Sequence, residues 1–379
     1  MAINEHSPIP LYRQIAETVR ADIIAGRIKK GERLGSHQEL VRRYHVSLIT
    51  VKRALTELIR EGLLYSRVGK GTYVSGSQAG VQLSQHRAIG LVLSDLKSPF
   101  FSLIVHSVEE YASRHGFSLL LSNSSEQSDK EERLIRRFRS MGVSGLIIAS
   151  MTHEGNAGRL LRDLHDTGFP YVMVSYLSDP DIYFVGTDHE EGGYLATRHL
   201  IDTGHARIGF INGEAGNLVG ELRRVGYLRA LAEAGLPGNS AWEFRLRRRG
   251  EWFDYGSGYE IGARFARTAK RPEAMFVYND LAALGFEQAV LDAGLAVPED
   301  VAIVGFDGIE RGEYAPVPLT TVRQSTDAIG ERAVGVLRAR IEGLPAEIKT
   351  VLPGELIVRQ TCGAPLGIRA HSSGERTPV

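Results

Sequence analysis

Two short helical patterns and a glycine-closed hairpin, packed into residues 36–75, constrain this 379-residue chain more than any other feature. Ser36-His37-Gln38-Glu39 has the S-x-x-E form of a capping box at a helix start. A turn follows at Tyr44-His45-Val46. Ser47 then caps a second helix, in which Val51, Ala54, Leu55, Leu58 and Ile59 recur at the spacing of one buried face. Thr50, Lys52, Arg53 and Thr56 are left on the opposite face. Gly62 ends that helix, and residues 63–67, 68–71 and 72–75 read as strand, tight turn and strand. An earlier helix over 9–25 sets Leu11, Ile15, Val19 and Ile23 on one stripe, ends at Gly26 and is expected to pack beneath the other two. Two short helices, a polar recognition face and a basic hairpin imply a device that reads duplex DNA.

Charge is divided in the same place. Residues 1–76 carry 13 Lys and Arg against 7 Asp and Glu, a net of +6, and the rest of the chain carries −6, so the whole is neutral. A positive small head on a negative body suits a phosphate-binding module joined to one that does not itself hold nucleic acid. The single cysteine, Cys362, allows no intrachain disulfide. With no basic-then-apolar stretch at the start and no apolar run near the ~20 residues of a membrane span, the expectation is a cytoplasmic protein.

After a Ser-, Gly- and Gln-rich stretch the texture changes to short apolar runs alternating with longer helical patterns. Strands are expected at 89–93, 117–121, 146–149 and 171–174, with helices over 99–115, 128–140 and 156–167 between them. Ser98-Pro99 supplies an N-cap and a first-turn proline. After Asp188 the pattern restarts: helices at 190–203, 219–235, 255–268 and 280–293, and strands at 208–211, 242–246, 275–278 and 301–305. A late helix at 326–342 and strands near 350 and 357 follow. Such alternation argues an α/β class with parallel sheets covered on both faces, and two successive sets argue two lobes. Ligands in such folds lie beyond the carboxyl ends of the strands, and here also between the lobes. The expected organisation is a winged helix-turn-helix domain at 1–76, a linker at 77–86, a two-lobe ligand-binding domain at 87–365 and a disordered tail at 366–379.

The stretches LYRQIAETVRADIIAGRIKKGERL, VSLITVKRALTELIREGLL and VGKGTYV resemble the GntR-type winged-helix family over residues 8–75. IGLVLSDLKSPFFSLIVHSVEEYASRHGFSLLLSNSS, VGTDHEEGGYLATRHLIDTGHARIGFING, VYNDLAALGFEQAVLDAGLAVPEDVAIVGFD and PLTTVRQ resemble the sugar-sensing core of the LacI/GalR repressors over 87–365, itself similar to periplasmic sugar-binding proteins of type I. The combination resembles the arabinose-repressor type of regulator. Family heads commonly carry arginine where Gln38 and Leu48 stand here, and proline where Gly35 stands. That departure moves the expected operator away from guanine contacts, the commonest targets of arginine. Leu48 and Ile49 then either meet a thymine methyl or extend the apolar core of the helix.

The expected DNA-contacting set is Ser36, Gln38, Ser47, Leu48, Ile49, Thr50, Lys52 and Arg53 on the two helices, with Arg67, Gly69, Lys70 and Gly71 at the wing turn. Lysine there supplies charge, and the glycines permit close backbone approach; Ser36 can equally serve only as a cap. In the body, a neutral polyol needs aromatic faces against its C–H surfaces and side chains that pair with adjacent hydroxyls. The resemblance implies Phe100 and Phe101 toward the cleft, one of them also core, and Arg223 as the main hydroxyl-binding group. Arg224 beside it cannot face the same way. Asn279 is a helix cap that the resemblance raises to a ligand contact; Asp307 and Gln324 are carried over on the same basis. Trp252, in a polar loop, and Ser122 and Asn123, at the end of a strand, complete the set. Asp188, with Glu190 and Glu191 behind it, reads as a helix cap. The run from Arg245 to Arg249 either draws an acidic ligand or is a solvated loop. No metal-ligand spacing and no cofactor motif is present.

The expected function is a ligand-responsive homodimeric transcription regulator, a repressor of carbohydrate-utilisation genes, whose partners are operator DNA and a small sugar. One alternative is a GntR-type head on a pyridoxal-phosphate enzyme body, which needs a Schiff-base lysine; residues 151–269 contain no lysine. The other is a transport-type sugar-binding protein.

Overall fold

A computed structural model describes residues 10–29, 31–60, 63–67, 71–75, 87–149, 157–174, 181–247 and 253–364. The chain forms two compact units, Met1–Arg87 and Ala88–Val379. The expected linker lies outside the described residues, as do the tail, Gly69, Lys70, Trp252 and Arg248-Arg249.

In the first unit, α1 (Leu11–Ile24), α2 (His37–Tyr44) and α3 (Leu48–Arg60) precede an antiparallel pair, β1 (Leu64–Arg67) and β2 (Gly71–Val74). The capping box of α2 is complete: Glu39 N–H donates to Ser36 Oγ at 3.2 Å, and Ser36 N–H donates to Glu39 Oε2 at 2.6 Å. His45 then takes a left-handed turn (φ 53°), which re-aims the chain into α3. Ile15 and Val19 of α1, Leu40 of α2, Val51, Leu55 and Leu58 of α3, and Leu64 and Val74 of the hairpin form one core. Ile59 was expected on the buried face but is 38% exposed. At 100° per residue it falls beside the Val51–Leu55–Leu58 stripe rather than on it.

The second unit has two lobes. The first is a six-stranded sheet of described residues in the order β13-β7-β6-β5-β3-β4, made of β3 (Arg87–Leu93), β4 (Phe117–Asn123), β5 (Gly145–Ala149), β6 (Tyr171–Val174), β7 (Phe184–Thr187) and β13 (Lys349–Leu352). The second has the order β14-β12-β11-β10-β8-β9, made of β8 (Ile208–Asn212), β9 (Glu243–Arg245), β10 (Ala274–Val277), β11 (Ala302–Asp307), β12 (Thr320–Arg323) and β14 (Glu355–Ile357). β3, β5, β6, β7 and β13 pair in parallel, as do β9, β8, β10, β11 and β12; β14 closes its edge antiparallel. Helices α4 (Pro99–Arg114), α5 (Ser128–Met141) and α6 (Ala157–Asp166) belong to the first lobe, and α7 (His189–Asp202), α8 (Leu218–Glu233), α9 (Phe253–Ala266) and α10 (Asp280–Asp292) to the second.

The lobes are not two successive sets. α11 (Thr326–Ile341) returns to the first lobe, where Ile329, Ala333 and Leu337 pack with Ile104 and Val108 of α4. β13 then adds to the first sheet and β14 to the second. The chain therefore crosses between lobes after Thr187, after Arg323 and after Leu352. β7 and β12 were not foreseen as strands. Each has four residues, too few to display a period.

Candidate effector cleft and DNA-reading face

The carboxyl ends of the strands in both sheets meet at a cavity of about 390 Å³. The first lobe contributes Asp95 after β3, Asn123 ending β4, Val174 ending β6, Thr187 ending β7, and Phe100 and Phe101 at the start of α4. The second contributes Gly213 after β8, Tyr278 and Asn279 after β10, and Asp307 ending β11. Gln324, just past β12, stands at a crossing and lines the same space. Strand ends converge on ligands because they leave side chains and backbone groups without sheet partners.

Arg223 of α8 is the central charge. It is 2% exposed. Its Nη1 donates to the carbonyl oxygen of Tyr278, its Nη2 lies 3.6 Å from Asp307 Oδ1 and 3.4 Å from His189 Nδ1, and its guanidinium sits 3.6 Å above the ring of Phe306. Its Nε is buried with no hydrogen-bond partner among the described residues. Burial, and then the nearby Arg223 charge, hold His189 well below its usual range, so the imidazole is neutral. Arg224 turns away and pairs with Glu243 at 2.5 Å.

A relay of amides leads from Arg223's partner across the cleft. Gln324 Nε2 donates to Asp307 Oδ1 at 2.8 Å, and Thr187 Oγ1 donates to Gln324 Oε1 at 2.7 Å. Asn217 Nδ2 donates to the Tyr278 hydroxyl at 2.9 Å. Asn279 does two jobs: Oδ1 caps α10 by accepting from Ala282 N–H, and Nδ2 donates to Asp254 Oδ2 at 2.6 Å. Asp307 holds a left-handed φ of 119°, a conformation costly for any residue with a side chain. The bond from Gln324 Nε2 and the adjacent Arg223 charge keep it there. Behind it, Asp280 is fully buried and accepts from Thr321 Oγ1 at 2.6 Å and from the N–H groups of Gly308 and Ile309. Burial, and then repulsion from Asp307, push the Asp280 carboxyl well above the usual carboxylate range; burial raises Asp307 too, against the pull of Arg223. The two titrate as a pair.

Of the sequence-expected set, Phe100, Phe101, Asn123, Arg223, Asn279, Asp307 and Gln324 line this one cavity. Phe101 is also core at 8% exposed, edge-on to Phe100 with ring centres 5.3 Å apart. Ser122 is not in the lining, because successive strand residues point to opposite faces and Asn123 takes the inward one. Arg245 is not in the lining either; it pairs with Glu221 at 2.7 Å, while Leu246 beside it is the residue that lines the cavity. Asp188 caps α7 through Glu191 N–H, as expected. Sequence reading missed Asp95, Thr187, His189, Asn217, Asp254, Tyr255 and Tyr278. Most stand within a few residues of a strand end, the same signal that found Asn123.

In the head, Gln38, Ser47, Leu48, Ile49, Lys52 and Arg53 are exposed, Ser36 and Thr50 are half-buried, and Gly71 opens β2. Leu48 is 44% and Ile49 79% exposed, which rules out the reading that they extend the core. The Arg53 guanidinium lies 4.2 Å over the Tyr12 ring. Arg67 ends β1. Arg33, which the sequence did not single out, pairs in an isolated bridge with Tyr73, and its side chain covers Gly71 at the foot of the wing.

Comparison with known proteins agrees with this geometry. Residues 11–74 match the model of bacterial regulatory proteins of the gntR family, and residues 197–362 match that of the periplasmic binding protein-like domain. The chain is 31% identical over 283 residues to the HTH-type transcriptional repressor PurR of Mannheimia succiniciproducens, covering 74% of this chain and 83% of that protein. It is similar to a transcriptional regulator CelR–cellobiose complex, with 28% identity, 83% of this chain and 91% of that one, and a TM-score of 0.66. It is also similar to a lac repressor dimer bound to operator and the anti-inducer ONPF, with 26% identity, 75% and 98% coverage, and a TM-score of 0.67. A helix-turn-helix head followed by a two-lobed, ligand-binding body defines a ligand-responsive transcription regulator. The chain belongs to the LacI-type family of DNA-binding transcriptional repressors and carries a gntR-family head.

Proposed function

We propose that this protein is a homodimeric cytoplasmic repressor whose 1–76 head binds operator half-sites and whose 87–365 body binds a small neutral sugar between its lobes. The observation that carries the reading is Arg223. It is a buried guanidinium, fixed by Asp307 and the Tyr278 carbonyl, with its Nε unspent at a cavity that Phe100 and Tyr278 also line. Such a group pairs with adjacent hydroxyls, while aromatic rings cover the C–H faces of a pyranose or furanose. Charge supports a neutral ligand. The lining holds five carboxylates (Asp95, Glu126, Glu214, Asp254 and Asp307) against three cations (Lys97, Arg223 and Arg311). A phosphosugar would meet net repulsion there. The cavity serves binding rather than catalysis, and the protein acts by occupancy of DNA.

Ligand bound between the lobes changes their relation across the three crossings and so the separation of the two heads of a dimer, which must match half-sites about one DNA turn apart. A coupling of about 1–3 kcal/mol changes operator occupancy roughly 5- to 150-fold.

A thermal-shift screen of the full chain against neutral sugars and their phosphates tests the site. A neutral sugar is expected to raise the melting temperature, and Arg223→Ala to weaken its binding about tenfold or more by calorimetry. Circular dichroism of the variant reports whether its fold is kept. A hit whose affinity is untouched by Arg223→Ala, or hits confined to phosphosugars, would sink the assignment.

A further inference from the structure

We infer that the recognition helix α3 reads its operator through thymine methyl groups, with Ile49 and Leu48 as the specificity-determining side chains. The inference rests on the DNA-reading role proposed above and assigns the chemistry of that contact. The exposed face of α3 opens on two consecutive large aliphatic residues, Leu48 at 44% and Ile49 at 79% exposure. Single exposed aliphatics need no explanation, but here the pair begins a helix whose inner face is already filled by Val51, Ala54, Leu55 and Leu58. Ile49, Lys52 and Thr56 follow one another at intervals of three and four, so they share one stripe.

The polar groups around them are committed elsewhere. Ser47 Oγ bonds Thr50 Oγ1 at 2.8 Å and accepts from Thr50 N–H at 3.2 Å, closing the helix start on itself. Thr56 Oγ1 donates to the Lys52 carbonyl oxygen. The Arg53 guanidinium is stacked on Tyr12, 4.2 Å above its ring. At the start of α3 that leaves the aliphatic pair, with Lys52 exposed one turn on, to face the groove. The occupant follows from charge and chemistry. The head carries a net +6, which fits a polyanion, and the apolar group that a major groove displays is the C5-methyl of thymine. Each half-site should therefore hold A·T pairs where α3 begins.

The test uses the full-length protein and a pool of randomised duplexes about two and a half helical turns long, enough for two half-sites. The enriched duplex is resynthesised with dU replacing dT one position at a time, which removes only the methyl group, and binding is read by fluorescence anisotropy. One or two thymines per half-site are expected to lose about fourfold in affinity on this change, the equivalent of about 0.8 kcal/mol per buried methyl. Ile49→Ala, at a site too exposed to disturb the fold, is expected to lose affinity for the dT duplex and to bind the dU duplex equally well. Leu48→Ala repeats the measurement at the neighbouring position. An enriched half-site without thymine, dU substitutions that change affinity by less than about 1.5-fold everywhere, or Ile49→Ala and Leu48→Ala variants as sensitive to dU as the parent would each overturn the inference while leaving DNA binding intact. Failure to enrich any duplex would overturn the DNA-reading role and the inference with it.

Discussion

Thr187 Oγ1 donates a 2.7 Å hydrogen bond to Oε1 of Gln324, tying the first crossing between the lobes to the second. Both residues are almost fully buried, at 3% and 5% exposure. The same glutamine passes its amide on to Asp307, so one side chain links the first lobe, the crossing and the carboxylate beside Arg223. Thr187→Val keeps the shape and deletes the donor, leaving a buried amide oxygen unpaired. The expected cost is about 1–3 kcal/mol, read as a lower urea midpoint at unchanged slope. Sugar affinity should fall with it, because Gln324 loses its anchor. A midpoint equal to the parent's would mean that this bond does not bridge the crossings in solution.

The second lobe depends on glycines at two helix crossings. A Cβ on Gly226 of α8 would stand 1.9 Å from the Glu190 carbonyl oxygen of α7, and one on Gly193 of α7 would stand 2.2 Å from the Arg223 carbonyl oxygen. On the opposite side of the sheet, Gly285 of α10 and Gly258 of α9 approach the partner helix just as closely, at 2.0 and 2.1 Å. These are backbone atoms, and no side-chain rotation relieves the clash. Gly226→Ala should therefore cost about 3 kcal/mol despite its better helix propensity, and displace Arg223 three residues away. Thermal melting together with sugar titration reads both effects. A variant that melts like the parent would contradict the helix spacing described.

Lys52 is exposed on α3, and no described residue pairs with its ammonium group. If it meets a phosphate, Lys52→Ala should weaken every duplex about equally and lower the slope of log affinity against log salt by about one. If it reads a base, the loss is confined to one sequence and the slope hardly moves. Anisotropy titrations at several salt concentrations separate the two, and a variant that binds like the parent under all of them would remove this face of α3 from the groove.

Much of this arrangement is legible in the sequence because it follows from local rules. The Ser36–Glu39 capping box and the Val51–Leu55–Leu58 stripe appear in the structure as read. Asn123 was found because a strand end followed by a polar residue is visible in one dimension, whereas Asn279, read locally as a helix cap, and Asp307 came from the family resemblance. What escaped depends on tertiary proximity. Nothing near Ile329 announces that α11 will leave the second lobe and pack on Ile104 and Val108, more than two hundred residues earlier. His189 lies next to Asp188, whose capping role accounts for the local pattern, and only the fold brings it within 3.4 Å of Arg223. Of the run beginning at Arg245, whose charge is conspicuous in sequence, Arg245 is spent on Glu221, a pairing that nothing local announces.

Glu287 offers a test of the buried electrostatics away from the cleft. It lies within α10 and is wholly buried; Oε1 accepts from Val317 N–H at 2.9 Å, and Oε2 has no hydrogen-bond partner among the described residues. Burial pushes the carboxyl up to about 7, against the opposing effect of the Val317 bond, while the unfolded chain titrates near 4.5. Between those values the folded protein keeps a proton that the unfolded chain has released. Stability contributed by this site is therefore lost as pH rises from about 4.5 to about 7, and the loss is complete above that. The size is about 3 kcal/mol. Glu287→Gln keeps an acceptor for Val317 and cannot ionise, so it should be more stable than the parent at pH 8 and nearly equal to it at pH 4.5. The Asp280–Asp307 pair contributes a slope of the same sign to both proteins, and it cancels in the difference. Urea unfolding of both proteins at intervals of half a pH unit gives that difference directly, and parallel curves would mean that the fold does not raise the Glu287 carboxyl.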